Sequence, residues 1–146
     1  MGKNKLEFTE SLCKAVEDAI THAELLTSGE IVLHVENSCP ENPYSRAVKV
    51  FESLNLHRTE LRNGVLIYLS TEDRKLAIIG DSGIHRFIQP EGWQDLVQKL
   101  TEAFQQGHFE VGLKAAIGAI GDRLSKHFPR LSNDKNELSN AVSFQR

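Results

Sequence analysis

The sequence is poor in cysteine and has neither a long apolar run nor a basic run. Its two cysteines, Cys13 and Cys39, form no CxxC pair, which favours two unrelated reduced thiols over a disulfide or a metal site. The longest apolar stretch, VLIYL, is too short to cross a bilayer. The opening segment MGKNKLEFTESL has no apolar signal-peptide core. Together these absences predict a cytoplasmic protein that does not insert into a membrane.

The charge balance argues against nucleic-acid binding. The formal net charge is -3 and the sequence pI is about 6.1. No aromatic residues alternate with Lys or Arg, as a base-stacking strip would require. A chain of 146 residues is long enough for one domain with its own hydrophobic core.

Apolar periodicity predicts helices that alternate with strands. A helical stripe runs from Phe8 to Ala23, and Gly29 is predicted to end the helix shortly after it. The segment EIVLHVEN alternates as a strand does and has one more polar face. Asn42 and Pro43 then suit the N-cap and the first residue of a second helix.

Two strands that are apolar on both faces, RNGVLIYLS and KLAIIGD, follow the second helix and are joined by the polar turn TEDR. They predict an antiparallel hairpin at the centre of the sheet. Two more helices follow, and Gly118 and Gly121 inside the last one predict close backbone packing. ELSNAVSF predicts a short fourth strand. The fold class is therefore α/β, a three-layer domain with a mixed sheet.

The segment IIGDSGI, which follows this hairpin, contains the GDSG sequence of trypsin-type proteases. That context belongs to larger, disulfide-stabilised β-barrels, and the segment is not the GxSxG elbow of an α/β hydrolase, so Ser82 is interpreted as a turn residue. Asp81 ends a strand, where sites form in open α/β sheets. A carboxylate there can hold a cation, accept backbone N–H groups or cap the next turn.

A second group of oxygen ligands lies in NDKNEL, near the C-terminus. Asn133, Asp134, Asn136 and Glu137 can converge on a hard cation such as Ca²⁺, although the spacing is not that of an EF-hand. Four ligands do not fill a calcium shell, so Asp81 or Glu41 would have to contribute from another loop. The alternative is a polar turn that the aspartate caps.

Three further residues are candidates to line the same site. Glu30 lies beside Gly29, and Arg62 and Asn63 precede a buried strand. Arg62 suits an anionic group such as phosphate, with a surface ion pair as the alternative. His34 is predicted to be a surface or supporting residue rather than a metal ligand.

Three segments in the right order and spacing carry a resemblance to a known family. They are TSGEIVLHV, RNGVLIYLSTEDRKLAIIGDSGI and FQQGHFEVGLKAAIGAIGDRL, over roughly residues 8–128. Together they resemble the TPM domain family, which is named after a thylakoid lumen protein, a photosystem-associated protein and a receptor-modulating membrane protein. The ending D-x-N-E-L, Asp134 to Leu138, is similar to a short stand-alone bacterial branch.

The resemblance implies an α/β/α sandwich around a mixed sheet of about four strands. It also implies binding of a divalent cation, calcium or magnesium, and some members are described as acid phosphatases. The positions that match the family pattern are Glu30, Arg62, Asn63, Asp73, Asp81, Asp134, Asn136 and Glu137. Of these we expect the metal ligands to be Asp81, Asp134, Asn136 and Glu137, with Glu41 as a further candidate and Asp73 as a structural residue.

Three functions follow as hypotheses. The first is a divalent-cation-binding domain over residues 1–146, with a core at 8–128 and a C-terminal loop and strand at 129–146. The second is a metal-dependent phosphomonoesterase, in which Arg62 binds phosphate, although the sequence offers no convincing base or nucleophile. The third is a module that binds a protein partner.

Overall fold

A computed structural model describes residues 6–130 and 140–145. The helices are α1 (Glu10–Glu24), α2 (Pro43–Ser53), α3 (Gln94–Gln105) and α4 (Phe109–His127). The strands are β1 (Glu30–Glu36), β2 (Gly64–Ser70), β3 (Lys75–Gly80) and β4 (Ser143–Gln145). These elements confirm the predicted α/β class, the alternation of helices with strands, and a fourth strand, which begins near the end of ELSNAVSF and ends at Gln145.

The four strands form one mixed sheet in the order β3-β2-β1-β4. β1 pairs in parallel with β2 and with β4, and β2 pairs with β3 as the predicted antiparallel hairpin. The hairpin is not the centre of the sheet, because β3 is an outer strand and β1 and β2 are the inner pair. The apolarity of β3 on both faces comes from helices that cover both faces even at this outer strand.

Helices cover the sheet on both sides, so the architecture is an α/β/α sandwich. α1, α3 and α4 pack on the face that carries Ile31 of β1 and Ile67 of β2. α2 packs on the other face, against Leu66 and Ile79. Each helix therefore contributes one apolar stripe to one of two cores, which is what the helical periodicity predicts.

Local signals fix several element ends. Asn42 caps α2 by accepting hydrogen bonds from the N–H groups of Tyr44 and Ser45, and Pro43 is the first helical residue, as predicted.

The two glycines inside α4 differ in their surroundings. In α4, a Cβ on Gly121 would lie 2.8 Å from the Cβ of Ala23, which confirms close packing there. The same prediction is wrong for Gly118, because in residues 6–130 and 140–145 no atom of another element lies within 4 Å of its Cβ position.

Candidate functional site

Polar side chains gather at the two ends of the sheet. We call the end where β1 and β2 begin the amino edge, and the end where they finish the carboxyl edge. Because β3 is antiparallel to β2, Asp81 follows β3 at the amino edge, where its N–H donates to Gly64 O at 2.9 Å. We expected Asp81 at the carboxyl ends of the strands, where sites form in open α/β sheets. It lies at the carboxyl end of β3 but at the amino ends of β1 and β2, so this expectation is wrong for the two parallel strands.

Asp81 is held by Arg62. The guanidinium donates from Nε to Oδ2 at 2.8 Å and from Nη2 to Oδ1 at 2.9 Å, and the N–H of Ser82 donates to Oδ1 at 2.7 Å. The Asp81 carboxylate is buried, while the Arg62 side chain is 49% exposed. The hydrogen bond with Asp81 and its negative charge raise the pKa of Arg62. Arg62 thus forms an ion pair with Asp81, which was the alternative to phosphate binding for this residue.

The turn after Asp81 explains the glycine of GDSG. A Cβ on Gly83 would lie 2.2 Å from Leu61 O and 2.7 Å from Arg62 O, so only glycine fits. The Gly83 N–H donates to Arg62 O at 2.9 Å. The segment therefore docks the 81–84 turn on the residues before β2 and holds Arg62 beside Asp81.

A buried pair of carboxyl groups, Glu24 and Glu30, also lies at the amino edge. Both residues are 2% exposed, and the two side chains are within hydrogen-bonding reach of each other. Glu24 Oε2 accepts the N–H of Ile31 at 2.8 Å. β4 pairs only with His34–Glu36 of β1, so it does not reach Ile31. Glu24 Oε2 supplies the acceptor for the Ile31 N–H that a neighbouring strand would otherwise supply.

The electrostatics of this pair favour one proton for two carboxyls. Burial is the largest cause that raises the pKa of Glu24, and the neighbouring Glu30 raises it further, while the Ile31 N–H and Arg130 lower it. The resulting pKa is about 8. At neutral pH Glu24 is therefore largely protonated and shares its proton with Glu30.

Asn63 connects the two parts of the amino edge. Its N–H donates to Thr59 Oγ1 at 3.2 Å, its Nδ2 donates to Ser28 Oγ at 3.3 Å, and its backbone carbonyl accepts the N–H of Glu30. Asn63 is buried. Its contacts in the structure fix the loop before β2 against the start of β1.

A buried polar network occupies the carboxyl edge on the α2 face. Glu36 accepts Arg46 Nε at 3.1 Å on each oxygen and the Tyr68 hydroxyl at 2.6 Å. His34 bonds Glu36 through Nε2 at 3.2 Å and Ser143 of β4 through Nδ1 at 2.8 Å. His34 is buried, so its prediction as a surface residue is wrong and its prediction as a supporting residue fits.

The charges of this network are fixed by its hydrogen bonds. Burial alone would raise the pKa of Glu36, but hydrogen bonds from Arg46, Tyr68 and His34 outweigh it and lower the pKa to about 2. Burial lowers the pKa of His34, so the imidazole is neutral at pH 7 and Nε2 donates to Glu36. The network joins β1, β2, β4 and α2.

Asp73 and Glu41 have structural contacts at the carboxyl edge. Asp73 Oδ2 accepts the N–H of Cys39 at 2.6 Å, as expected for a structural residue. Glu41 pairs with Lys49 at 2.9 Å, and its carbonyl accepts Lys75 Nζ at 3.2 Å. Cys13 and Cys39 are free thiols, as predicted.

The predicted metal ligands do not converge within the described residues. Glu41 and Asp81 lie at opposite edges of the sheet and cannot share one cation. Asp134, Asn136 and Glu137, with Asn133, lie outside the described residues. Over 6–130 and 140–145, no three His, Cys, Asp or Glu side chains are grouped as a metal site.

Sequence reasoning missed Glu24, and a signal for it existed. Leu12, Val16 and Ile20 form the buried stripe of α1 at intervals of four, and Glu24 continues that interval. A carboxylate on an apolar stripe is a candidate for burial. Its partner Glu30 was identified, but the contact between them depends on how α1 packs on β1.

The fold places the protein in the class of α/β/α sandwiches with a four-stranded mixed sheet, and polar clusters lie at both edges of that sheet. A sequence profile of the TPM domain matches residues 7–123. The NMR structure of BA42 protein from the psychrophilic bacterium Bizionia argentinensis is similar, at 38% identity and a TM-score of 0.87, over 99% of this chain and 100% of that one. The chain belongs to the TPM domain family, and the resemblance found in the sequence is confirmed.

A more distant structure shares the fold alone. The NMR structure of the N-terminal domain of a P. gingivalis protein has a TM-score of 0.66 at 12% identity, over 86% of this chain and 81% of that one. No curated protein matches the sequence. No helix within residues 6–130 or 140–145 has both the length and the apolarity of a membrane span.

Proposed function

We propose that this TPM domain binds a divalent cation, Ca²⁺ or Mg²⁺, at the buried carboxyl pair of Glu24 and Glu30. Hard cations take carboxylate oxygens as ligands. Within the described part of the chain, Glu24 Oε1 is buried and accepts no hydrogen bond. A cation between the two side chains would neutralise the charges that now require a shared proton. This acid pair is the observation that carries the proposal.

The remaining ligands are proposed from the flanking contacts. Ca²⁺ needs about six to eight oxygens, so the pair alone is too few. Asp134, Asn136 and Glu137 stay predicted ligands, and the described residues on either side of them contact α1. Arg130 Nη1 donates to the backbone carbonyl of Glu24 at 2.8 Å, and Asn140 Nδ2 donates to Thr21 Oγ1 at 3.0 Å.

Asp81 is not part of the proposed site. Both of its carboxylate oxygens accept hydrogen bonds from Arg62, which already supplies the compensating charge. A cation there would have to displace a guanidinium held by two hydrogen bonds. The phosphomonoesterase alternative meets the same obstacle, because the arginine that would bind phosphate is engaged with Asp81.

Cation binding would act through proton release and local order. The cation requires deprotonated carboxylates, so the proton shared by Glu24 and Glu30 has to leave as it binds. Glu24 ends α1 and Glu30 begins β1. A cation held by both residues would therefore fix the connection between this helix and the sheet.

Calorimetric titration of chelator-treated protein with Ca²⁺ and with Mg²⁺ tests the proposal. At pH 7, in two buffers of different ionisation enthalpy, we expect saturable binding and net proton release. Glu24→Gln should weaken binding by about tenfold or more, because a neutral amide replaces a ligand carboxylate. Asp134→Asn should weaken it similarly, because Asp134 is also a proposed ligand.

Two control variants make the titration decisive. Glu60→Gln removes one exposed carboxylate and should leave the affinity unchanged. Asp81→Asn removes a buried carboxylate at the same edge, and we expect binding to survive, with circular dichroism confirming that each variant is folded. Absence of binding at millimolar cation, an unchanged affinity in Glu24→Gln, or loss of binding in Asp81→Asn alone would each reject the proposed site.

A further inference from the structure

A cavity of about 700 Å³ lies at the carboxyl edge. It lies on the side of the sheet covered by α1, α3 and α4 and opens at the ends of the three parallel strands. Val35, Leu69 and Phe144, near the ends of β1, β2 and β4, line it. In open α/β sheets this is where ligands bind. The volume falls within the range of small-molecule sites.

Two pairs of phenylalanine rings form part of the cavity wall. Phe8 and Phe144 meet edge to face with ring centroids 5.9 Å apart, and Phe104 and Phe109 do the same at 5.3 Å. All four rings line the cavity. Such pairs restrict each other's rotation. The walls can therefore take an apolar body at little cost in side-chain ordering.

Arg74 is the single cation among the described residues that line this cavity. It belongs to the β2–β3 turn, which is fixed against the end of β1 because the N–H groups of Thr71 and Glu72 donate to the carbonyls of Glu36 and Asn37. No residue in the described ranges forms an ion pair or side-chain hydrogen bond with its guanidinium. Among the described residues, the Arg74 guanidinium is therefore not engaged in an ion pair and can meet a ligand at the cavity, whose lining also includes the carboxylates of Glu7 and Glu72.

The backbone of Arg74 gives a second reason to assign it a role. Its φ is 55°, in the left-handed region where Gly or Asn is preferred and other residues are strained. A glycine would suit the turn better than an arginine. Strain of this kind is concentrated at binding and switch sites, where the side chain is needed.

We propose that the cavity binds a small amphipathic monoanion, with an apolar body against the phenylalanines and a carboxylate or similar group on Arg74. Glu7 and Glu72 also line the cavity. Their negative charges oppose a second charge on the ligand, so nucleotides and phosphate dianions are disfavoured. This site lies at the opposite end of the sheet from the Glu24–Glu30 pair and does not depend on it.

Titration with three probes of equal chain length, monitored by amide NMR spectra, tests this assignment. Decanoate, 1-decanol and decylamine share the apolar body and differ in charge. We expect decanoate to shift amides of residues 35–37, 69–76, 101–109 and 143–145 in a saturable manner. Its affinity should exceed that of decanol and of decylamine by about tenfold.

Substitutions of Arg74 separate binding from folding. Arg74→Gly should reduce decanoate affinity by about tenfold and leave decanol affinity unchanged, while urea unfolding shows no loss of stability because glycine relieves the φ of 55°. Arg74→Lys should retain most of the binding. Arg58→Ala, which removes an exposed arginine away from the cavity, should retain all of it.

The proposal would be overturned by the absence of saturable shifts at the cavity with any probe, by equal affinity for decanoate and decanol, or by full decanoate binding by Arg74→Gly. Shifts centred on the amino edge instead of these residues would also reject it.

Discussion

At the scale of single residues, the Glu24–Glu30 pair makes the folded state bind a proton that the unfolded state releases. The pKa of Glu24 is raised from 4.5 in the unfolded chain to about 8 in the folded protein. Between these values the unfolded state binds fewer protons than the folded state. The free energy of unfolding must therefore fall as the pH rises through this window.

We predict that Glu24→Gln removes this part of the pH dependence. In the native protein the pair should cost on the order of a few kcal/mol of stability between pH 4.5 and pH 8. The side-chain amide of the variant stays neutral at every pH in this range, so the variant should lose less stability over it. Urea unfolding at pH 5, 6.5 and 8 measures the difference, and equal slopes for the native protein and the variant would contradict the prediction. Glu60→Gln provides the baseline.

A second prediction for a single residue concerns Glu36. Its contribution to the pH dependence of stability has the opposite sign to that of Glu24. The folded pKa of about 2 lies below the ordinary 4.5, so the network stabilises the fold above pH 4.5 and loses this effect as the pH falls toward 2. Arg46→Ala leaves a buried carboxylate without its cation and should cost about 2–4 kcal/mol at pH 7. The cost should shrink at pH 3, where Glu36 of the variant can be protonated.

Urea unfolding at pH 7 and pH 3 checks this second prediction. Lys49→Ala breaks the exposed pair with Glu41 and should cost less than about 1 kcal/mol at either pH. A similar cost for Arg46→Ala and Lys49→Ala would show that the Glu36 network contributes no more than a surface ion pair.

At the scale of elements, the two glycines of α4 predict opposite effects of the same substitution. Gly118→Ala adds a methyl group that meets no neighbouring side chain or element within 4 Å in the described part of the chain, and should stabilise the helix by about 0.5–1 kcal/mol. Gly121→Ala places a methyl group 2.8 Å from the Cβ of Ala23 and should destabilise the α1–α4 contact by about 1–3 kcal/mol. Thermal unfolding of both variants distinguishes them, and effects of the same sign would refute the packing assigned to α4.

Element types were predictable because each has a local signal. Asn42–Pro43 fixed the start of α2, and the short TEDR connection fixed the hairpin. Strand order was not predictable from the same signals, since β3 is as apolar as an inner strand although it lies at the outside of the sheet. Its burial comes from α2 and α3, whose positions no local pattern encodes.

The candidate sites were less predictable for the same physical reason. Arg62 and Asp81 were both selected from the sequence, but their mutual ion pair depends on the antiparallel return of β3 and the fit of Gly83. Glu36 is one residue of an alternating strand, and its partners Arg46 and Tyr68 come from α2 and β2. Arg74 is recognisable only once its φ and its cavity are known.

At the scale of the whole molecule, β1 connects the two candidate sites. Glu30 begins the strand at the acid pair, and Val35 near its end lines the cavity. Seven residues of extended chain separate the edges by about 20 Å. The sheet therefore separates the proposed cation site from the proposed site for an amphipathic monoanion, and each can be altered without the other.

The three-residue strand β4 has a consequence for how the molecule folds. Ser143 contacts His34 across 109 positions of sequence, and Phe144 contacts Phe8 across a still longer separation. Contacts between residues so far apart in sequence are expected to form late, because closing a long loop carries a large cost in chain entropy. We therefore expect the wall of the cavity that Phe144 contributes to be completed after the inner strands have paired, in a late stage of folding.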